Sequence, residues 1–314
     1  MGSYEPATAP ANEINPPGVE QLVDLGAENR RCAESQLLRR PDARYRQAMR
    51  VTGTELTTVT GLAYRQARSG GGTESVRLPV QRLAVDRVPE GCDAVLVAGD
   101  LQGVAPSPYG GAAVLLGVAL ADHLAGWAQQ GLVPPPDRLA VVLAGDLYSA
   151  PTADVRGASG DVADVWLAFA AAGCRLVTGV RGNHDVLGPS DLAGLDPAPT
   201  LLDGDAVEHG GVRFAGVGGI VGDPARPGRR AEADQLARLG RALATAPDVL
   251  VLHEGPTGSR PDQRGNPVIA ERIRRGAPPI TVCGHVHWPE PLSALGGGHV
   301  LNVDSRAVLL TPGR

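Results

Sequence analysis

Seven short apolar runs, several of them closed by glycine and a residue able to bind a cation, limit how this chain can fold. They are Ala94 to Ala98, Leu139 to Ala144, Arg175 to Val180, Val212 to Val217, Val249 to Leu252, Ile280 to Cys283 and His299 to Val303. Each is nearly all apolar, which suits a strand covered on both faces, as in an α/β protein. Helix-like stretches at Ala112 to Gln130 and Val162 to Ala172 supply the covers. Asp100, Asp146, Asn183, His253, His285 and His287 all sit just past the end of a run. In α/β sheets the carboxyl ends of strands gather the reactive groups, so one sheet edge is expected to collect these side chains.

The segments read Gly99-Asp100-Leu101-Gln102-Gly103, Gly145-Asp146-Leu147, Arg181-Gly182-Asn183-His184-Asp185, His253-Glu254-Gly255 and Gly284-His285-Val286-His287. Carboxylate oxygens mixed with imidazole nitrogens suit Mn²⁺, Fe or Zn²⁺ better than calcium or a thiolate site. Glycine beside the ligands lets the backbone turn sharply and lets a bulky anionic group approach.

Before these segments the chain reads differently. Residues 1–18 carry Pro6, Pro10, Pro16 and Pro17 among small residues and are expected to form a flexible tail. From Val19 to about Arg68 the pattern is helical, with arginines opposite Leu22, Val23, Leu25, Leu37, Leu38 and Met49. Gly70, Gly71 and Gly72 mark the clearest break, which places a helical extension over 19–72 and the main domain over 73–314. Arginines 30, 31, 39, 40, 44, 46 and 50 read as a solvated face beside Glu28, Glu34 and Asp42, with a nucleic-acid face as the alternative.

Composition removes several chemistries. All 29 basic residues are arginine, so a Schiff-base lysine and a phosphate loop of the GKS type are both closed. The net charge of −5 argues against a protein that coats duplex nucleic acid. Cys32, Cys92, Cys174 and Cys283 form no CxxC pair and are expected to be reduced, mostly buried thiols. No apolar run is long enough to span a bilayer, and Met1 to Pro17 lacks the pattern of an export signal, so a cytoplasmic location is expected.

The ordered set GD-x-[H/Q]-G, GD, GNHD, H and GHxH resembles the calcineurin-like metallophosphoesterase superfamily, over Ala94 to Leu310. The resemblance implies a four-layer αββα sandwich of two mixed sheets, with a dinuclear metal centre at the sheet edge. It makes Asp146 the carboxylate bridging two divalent ions, Mn²⁺ first and Fe, Zn²⁺ or Mg²⁺ as alternatives. Asp100, Gln102 and His287 would complete one site, and Asn183, His253 and His285 the other. His184 would assist the leaving oxygen, and Asp185 would hold that ring in the useful tautomer. Arg181 would contact a phosphate oxygen through its forked guanidinium. The implied reaction is hydrolysis of a phosphate mono- or diester by a metal-bridging hydroxide, on a small or nucleotide-like substrate.

The chain departs from the family pattern at Gln102, where most relatives have histidine. An amide oxygen is a harder ligand than imidazole and shifts preference from zinc toward Mn²⁺ or Mg²⁺. Some diadenosine-tetraphosphate hydrolases of the superfamily carry GD-x-Q-G, which keeps catalysis open. Gly145-Asp146-Leu147-Tyr148-Ser149 lacks the GDxxDRG continuation of the protein-phosphatase branch. Two rival readings are a nuclease or RNA-end-processing enzyme, and a non-catalytic scaffold such as a retromer subunit of this fold. His123, His209 and His299 are read as ordinary histidines. Arg260 and Arg264 could reach substrate or solvent, and Trp288 is expected to pack or to stack on a base.

Overall fold

In the computed structural model the described residues are Gly2 and 47–313. The expected tail over 1–18, the helical stretch before residue 47 and Cys32 lie outside the described residues. The unit Gln47–Arg314 carries every strand and helix named below.

In chain order, β1 (Thr57–Ala67), β2 (Thr73–Val85), β3 (Ala94–Gly99), β4 (Val104–Ala105) and β5 (Val114–Leu115) lead into α1 (Leu116–Gln129). Next come β6 (Leu139–Leu143), β7 (Gly160–Asp161), α2 (Ala163–Ala171), β8 (Leu176–Gly179), β9 (Asp185–Val186) and β10 (Thr200–Leu201). The second half holds β11 (Asp205–His209), β12 (Val212–Val217), β13 (Ile220–Val221), β14 (Arg229–Arg230) and α3 (Glu232–Ala244). It ends with β15 (Val249–Glu254), α4 (Pro267–Gly276), β16 (Ile280–Gly284), β17 (Leu292–Leu295), β18 (Gly298–Asn302) and β19 (Arg306–Pro312).

A nine-stranded sheet runs β10-β8-β6-β3-β19-β2-β1-β4-β5, and a six-stranded sheet runs β11-β12-β15-β16-β18-β17. Both are mixed: β3, β6 and β8 are mutually parallel beside antiparallel β19, and β12, β15, β16 and β18 are parallel between antiparallel β11 and β17. Strand period sorts the side chains into layers. Val95 and Val97 of β3 face Phe214, Val251 and Val282 in the core between the sheets. Leu96 and Ala98, one residue out of step, pack outward with Leu120 and Leu124 of α1 and Trp166 and Phe169 of α2. On the far side, Leu250 and Leu252 of β15 pack with Leu239 of α3 and Ile269 and Ile273 of α4. The layers are therefore helix, sheet, sheet, helix, and each such buried side chain contributes roughly 1.5–3 kcal/mol.

Each of the seven apolar runs is a strand. The helical expectation, however, fails over all of its described part: 47–56 hold no helix, and a strand begins at Thr57. Thr57–Ala67 is a strand paired antiparallel with β2, and the glycines at 70–72 form the turn of that hairpin, with the Arg68 N–H donating to the Gly72 carbonyl at 3.0 Å. β-branched and aromatic residues favour this outcome, and Leu62 and Tyr64 bury their side chains at strand period. Interior strands of the large sheet outside the seven runs include β2 and β19; β19 lies wholly between β2 and β3, with Ala307 to Leu310 buried.

Among the described residues no helix is long and apolar enough to cross a membrane. Cys92, Cys174 and Cys283 are buried free thiols, as expected.

Candidate metal centre

Asp100 follows β3, Asp146 follows β6 and Asn183 follows β8 in one sheet, while His253 ends β15 and His285 follows β16 in the other. Three of these residues leave their strands through left-handed backbone, with φ of 50° at Asp100, 53° at Asp146 and 69° at His285. Such a conformation costs a non-glycine residue about 1–3 kcal/mol and has to be held by its surroundings. The Asp100 N–H donates to the Gly145 carbonyl at 2.8 Å, the Asp146 N–H to Asp185 at 2.8 Å, and the His285 N–H to the Asp100 carboxylate at 2.9 Å. Two of the motif glycines are required by crowding. A Cβ on Gly182 would lie 1.9 Å from Asp146 Oδ1, and one on Gly284 would lie 2.1 Å from Asp100 Oδ2. The space they leave is filled by a neighbouring ligand's carboxylate, which packs the candidate ligands together.

His253 is fully buried, and its Nδ1 lies 2.9 Å from the Ala144 carbonyl oxygen. A carbonyl only accepts, so Nδ1 carries a proton and Nε2 is turned toward the site. There Nε2 lies 3.0 Å from Asn183 Oδ1 and 3.4 Å from Asp146 Oδ1. Ligand atoms of Asp146, His253 and His285 lie within 4.8 Å of one another. With Asn183, they form the compact half of the centre.

The other half is looser. The Gln102 amide lies 3.1 Å from Asp146 Oδ2, and turning that amide over exchanges its nitrogen for its oxygen. Asp100 and exposed His287 line the same cavity, and His287 Nδ1 lies 3.1 Å from Asp304 Oδ1. Asp146 thus has Oδ1 beside His253 and Oδ2 beside Gln102.

The donor set fits divalent cations. Asp100, Asp146 and Asp185 are buried carboxylates, and among the described residues no arginine pairs with them. Burying unpaired carboxylates is expensive unless cations or protons neutralise them. Burial raises Asp100 well above the usual carboxylate range, against the pull of His253. Burial also works against ionisation of Asp146, but the charge and hydrogen bond of His253 outweigh it and hold that carboxyl low. His253 is pushed up in return, despite its burial, by Asp146. Burial, then the positive charge of His253, lowers His285 to about 4, which leaves a neutral imidazole suited to a metal.

Two residues make contacts other than those expected of them. The Asp185 carboxylate does not hold the His184 ring; it accepts from the backbone N–H groups of Asp146, Leu147 and Gly182 at 2.7–2.8 Å. The His184 ring is met instead by Ser159, whose Oγ lies 3.0 Å from Nδ1. The physical reason is that three buried backbone donors converge where Asp185 sits, and buried donors need an acceptor. Arg181 is likewise turned away, with Nη1 directed at the Leu187 carbonyl, and it does not line the cavity. Trp288 is buried in the outer core and donates Nε1–H to the Arg264 carbonyl at 2.7 Å, so it packs and does not stack. His123, His209, His299, Arg260 and Arg264 are absent from the cavity lining.

The cavity holds about 500 Å³. Besides Asp100, Gln102, Asp146, His285, His287 and His184, its walls include Asp304, Tyr148, Arg156 and the hairpin residues Gln66, Ser69 and Glu74, while Asn183 and His253 sit behind the lining. Asp304 follows the run His299 to Val303, so the strand-end rule that selects Asp100 points to it as well. The hairpin residues carry no such signal, because none of Gln66, Ser69 and Glu74 follows an apolar run.

Residues 94–289 match the model of the calcineurin-like phosphoesterase family. The chain belongs to that family. As a calcineurin-like phosphoesterase it is a hydrolase of the metal-dependent phosphoesterase type. A solved structure titled as that of TT1561 of Thermus thermophilus is 16% identical, with a TM-score of 0.47 over 68% of this phosphoesterase and 91% of that chain. A second is 13% identical, with a TM-score of 0.46 over 67% of this chain and 90% of that one. No curated protein matches the phosphoesterase.

Proposed function

We propose that this phosphoesterase hydrolyses a phosphate mono- or diester of a small or nucleotide-like compound at a dinuclear centre. Asp146 would bridge the two ions, Asn183, His253 and His285 would complete one, and Asp100, Gln102 and His287 the other. The convergence of Asn183 Oδ1 and Asp146 Oδ1 on the oriented Nε2 of His253 is the main support. Divalent cations there would supply Lewis acidity toward phosphoryl oxygens and a water acidified toward neutral pH. Mn²⁺ is the ion proposed, because the amide of Gln102 is a hard oxygen donor.

The chain's own groups then divide the work. His184 lines the cavity, and Ser159 occupies its Nδ1, which leaves Nε2 as the nitrogen able to pass a proton to the departing oxygen. Asp185 keeps the backbone of Asp146 and Gly182 in place and touches no substrate. A cavity of about 500 Å³ matches a small ligand, and the acidic net charge disfavours a nucleic-acid track.

The test is hydrolysis of p-nitrophenyl phosphate and its bis ester by Mn²⁺-loaded protein, beside an Asp146→Asn control. Hydrolysis of either ester, abolished in the control, supports the reading. Metal-loaded protein that cleaves neither would leave a scaffold of this fold as the better description.

A further inference from the structure

The β1–β2 hairpin gives the cavity a wall that none of the ligand segments provides, built from Gln66 at the end of β1, Ser69 in the turn and Glu74 in β2. Gln66 and Glu74 are cross-strand partners. Buried Tyr64 donates its hydroxyl to Gln66 Oε1 at 2.9 Å, and Gln66 Nε2 donates to Glu74 Oε1 at 2.9 Å. The Tyr64 side chain also meets Ser305, next to Asp304 and the metal centre. This relay fixes the half-buried carboxylate of Glu74 and uses one of its oxygens. The second has no protein partner among the described residues.

Arg156 reaches the same cavity from the loop before β7, exposed and without a protein partner among the described residues. It adjoins Gly157, which lies against the His184 ring. A braced carboxylate accepts donors and repels anions, whereas a free guanidinium takes phosphate oxygens. The two charges therefore sort a substrate by its ends.

We propose that Glu74 is a specificity-determining residue that receives a hydroxyl or ammonium donor on the alcohol part of the ester, while Arg156 takes a phosphate oxygen. The assignment rests on the phosphoesterase reading above. It favours phosphoesters of polyols or amino alcohols and disfavours leaving groups that carry further phosphates, which would face Glu74 as like charge.

The experiment compares kcat/KM of the full, Mn²⁺-loaded chain on phosphoethanolamine, glycerol 2-phosphate and p-nitrophenyl phosphate. The last has no donor on its leaving group. In Glu74→Gln, the ratio of a donor ester to p-nitrophenyl phosphate is expected to fall about 10-fold or more, as for loss of a hydrogen bond to a charged group. A fall confined to phosphoethanolamine assigns an ammonium ligand, and one confined to glycerol 2-phosphate assigns a hydroxyl. Glu74→Asp, which keeps the charge but shortens its reach, should lower the same ratio and serves if the first variant does not fold. Tyr64→Phe, which frees Gln66, should shift it in the same direction by less. Unchanged ratios in folded variants, or wild-type activity on p-nitrophenyl phosphate alone, overturn the assignment and leave the phosphoesterase reading standing. Wild-type protein that binds Mn²⁺ and cleaves none of the three overturns both.

Discussion

The imidazole of His253 donates through Nδ1 to the carbonyl oxygen of Ala144 at 2.9 Å, joining the end of β15 in one sheet to the end of β6 in the other. This bond does more than tie the sheets together. It points Nε2 at Asn183 and Asp146, so the packing of the two sheets orients the ring proposed to coordinate.

Replacing His253 with alanine should therefore strip the compact half of the centre. Loss of an outer partner alone typically weakens metal affinity by about 10–100-fold, and loss of the ligand itself should do at least as much. Mn²⁺ titration with element analysis, beside circular dichroism for folding, reads the effect. Unchanged affinity in a folded variant would remove His253 from the ligand set.

Asp185 and His184 should separate stability from catalysis. Asp185→Ala leaves three buried N–H groups without an acceptor, at roughly 1–3 kcal/mol each, so urea denaturation should show a loss of about 3 kcal/mol or more. His184→Ala should change stability by no more than about 0.5 kcal/mol and lower kcat by roughly 10²–10⁴-fold. The opposite pattern would restore Asp185 as the group that orients the ring.

Gln102→His should change metal preference. An imidazole nitrogen in place of the amide raises affinity for Zn²⁺ relative to Mn²⁺, which competition titration measures as a ratio. An unaltered ratio would place Gln102 outside the coordination shell, hydrogen-bonded to Asp146 alone.

Stability should fall in alkali. Burial, and secondarily the nearby Cys92, pushes the Cys174 thiol up to about 12 from an ordinary value near 9. The unfolded chain loses that proton first, so this contribution is complete below pH ~9 and declines as the pH rises toward 12, by about 1.4 kcal/mol per unit. Urea midpoints from pH 8 to 10.5 should fall, and less steeply in Cys174→Ala. Equal slopes in the two proteins would show that the thiol is not the source.

Much of this protein is legible one segment at a time. Seven of the strands appear as apolar runs, and the candidate ligands appear at or just past the ends of several, because burial on two faces and a reactive strand edge leave local marks. The hairpin hides from such a reading because β1 is mostly exposed or half-buried and β2 alternates polar with apolar residues, so neither forms an apolar run. Leu62 and Tyr64 become strand residues by pairing with β2, and β2 in turn pairs with β19, more than 220 positions later in the numbering.

The residue order alone indicated which types of group could meet at the candidate centre and in what sequence: an aspartate after β3, another after β6, Asn183 and His184 after β8, then His253, His285 and His287. The folded chain decided which of them touch. Asp185 went to three backbone donors, Arg181 turned to Leu187, and Arg156 and Glu74 came to line the cavity. Those choices depend on hydrogen bonds and packing between residues distant along the chain, and strand period is the same whichever partner a strand finds.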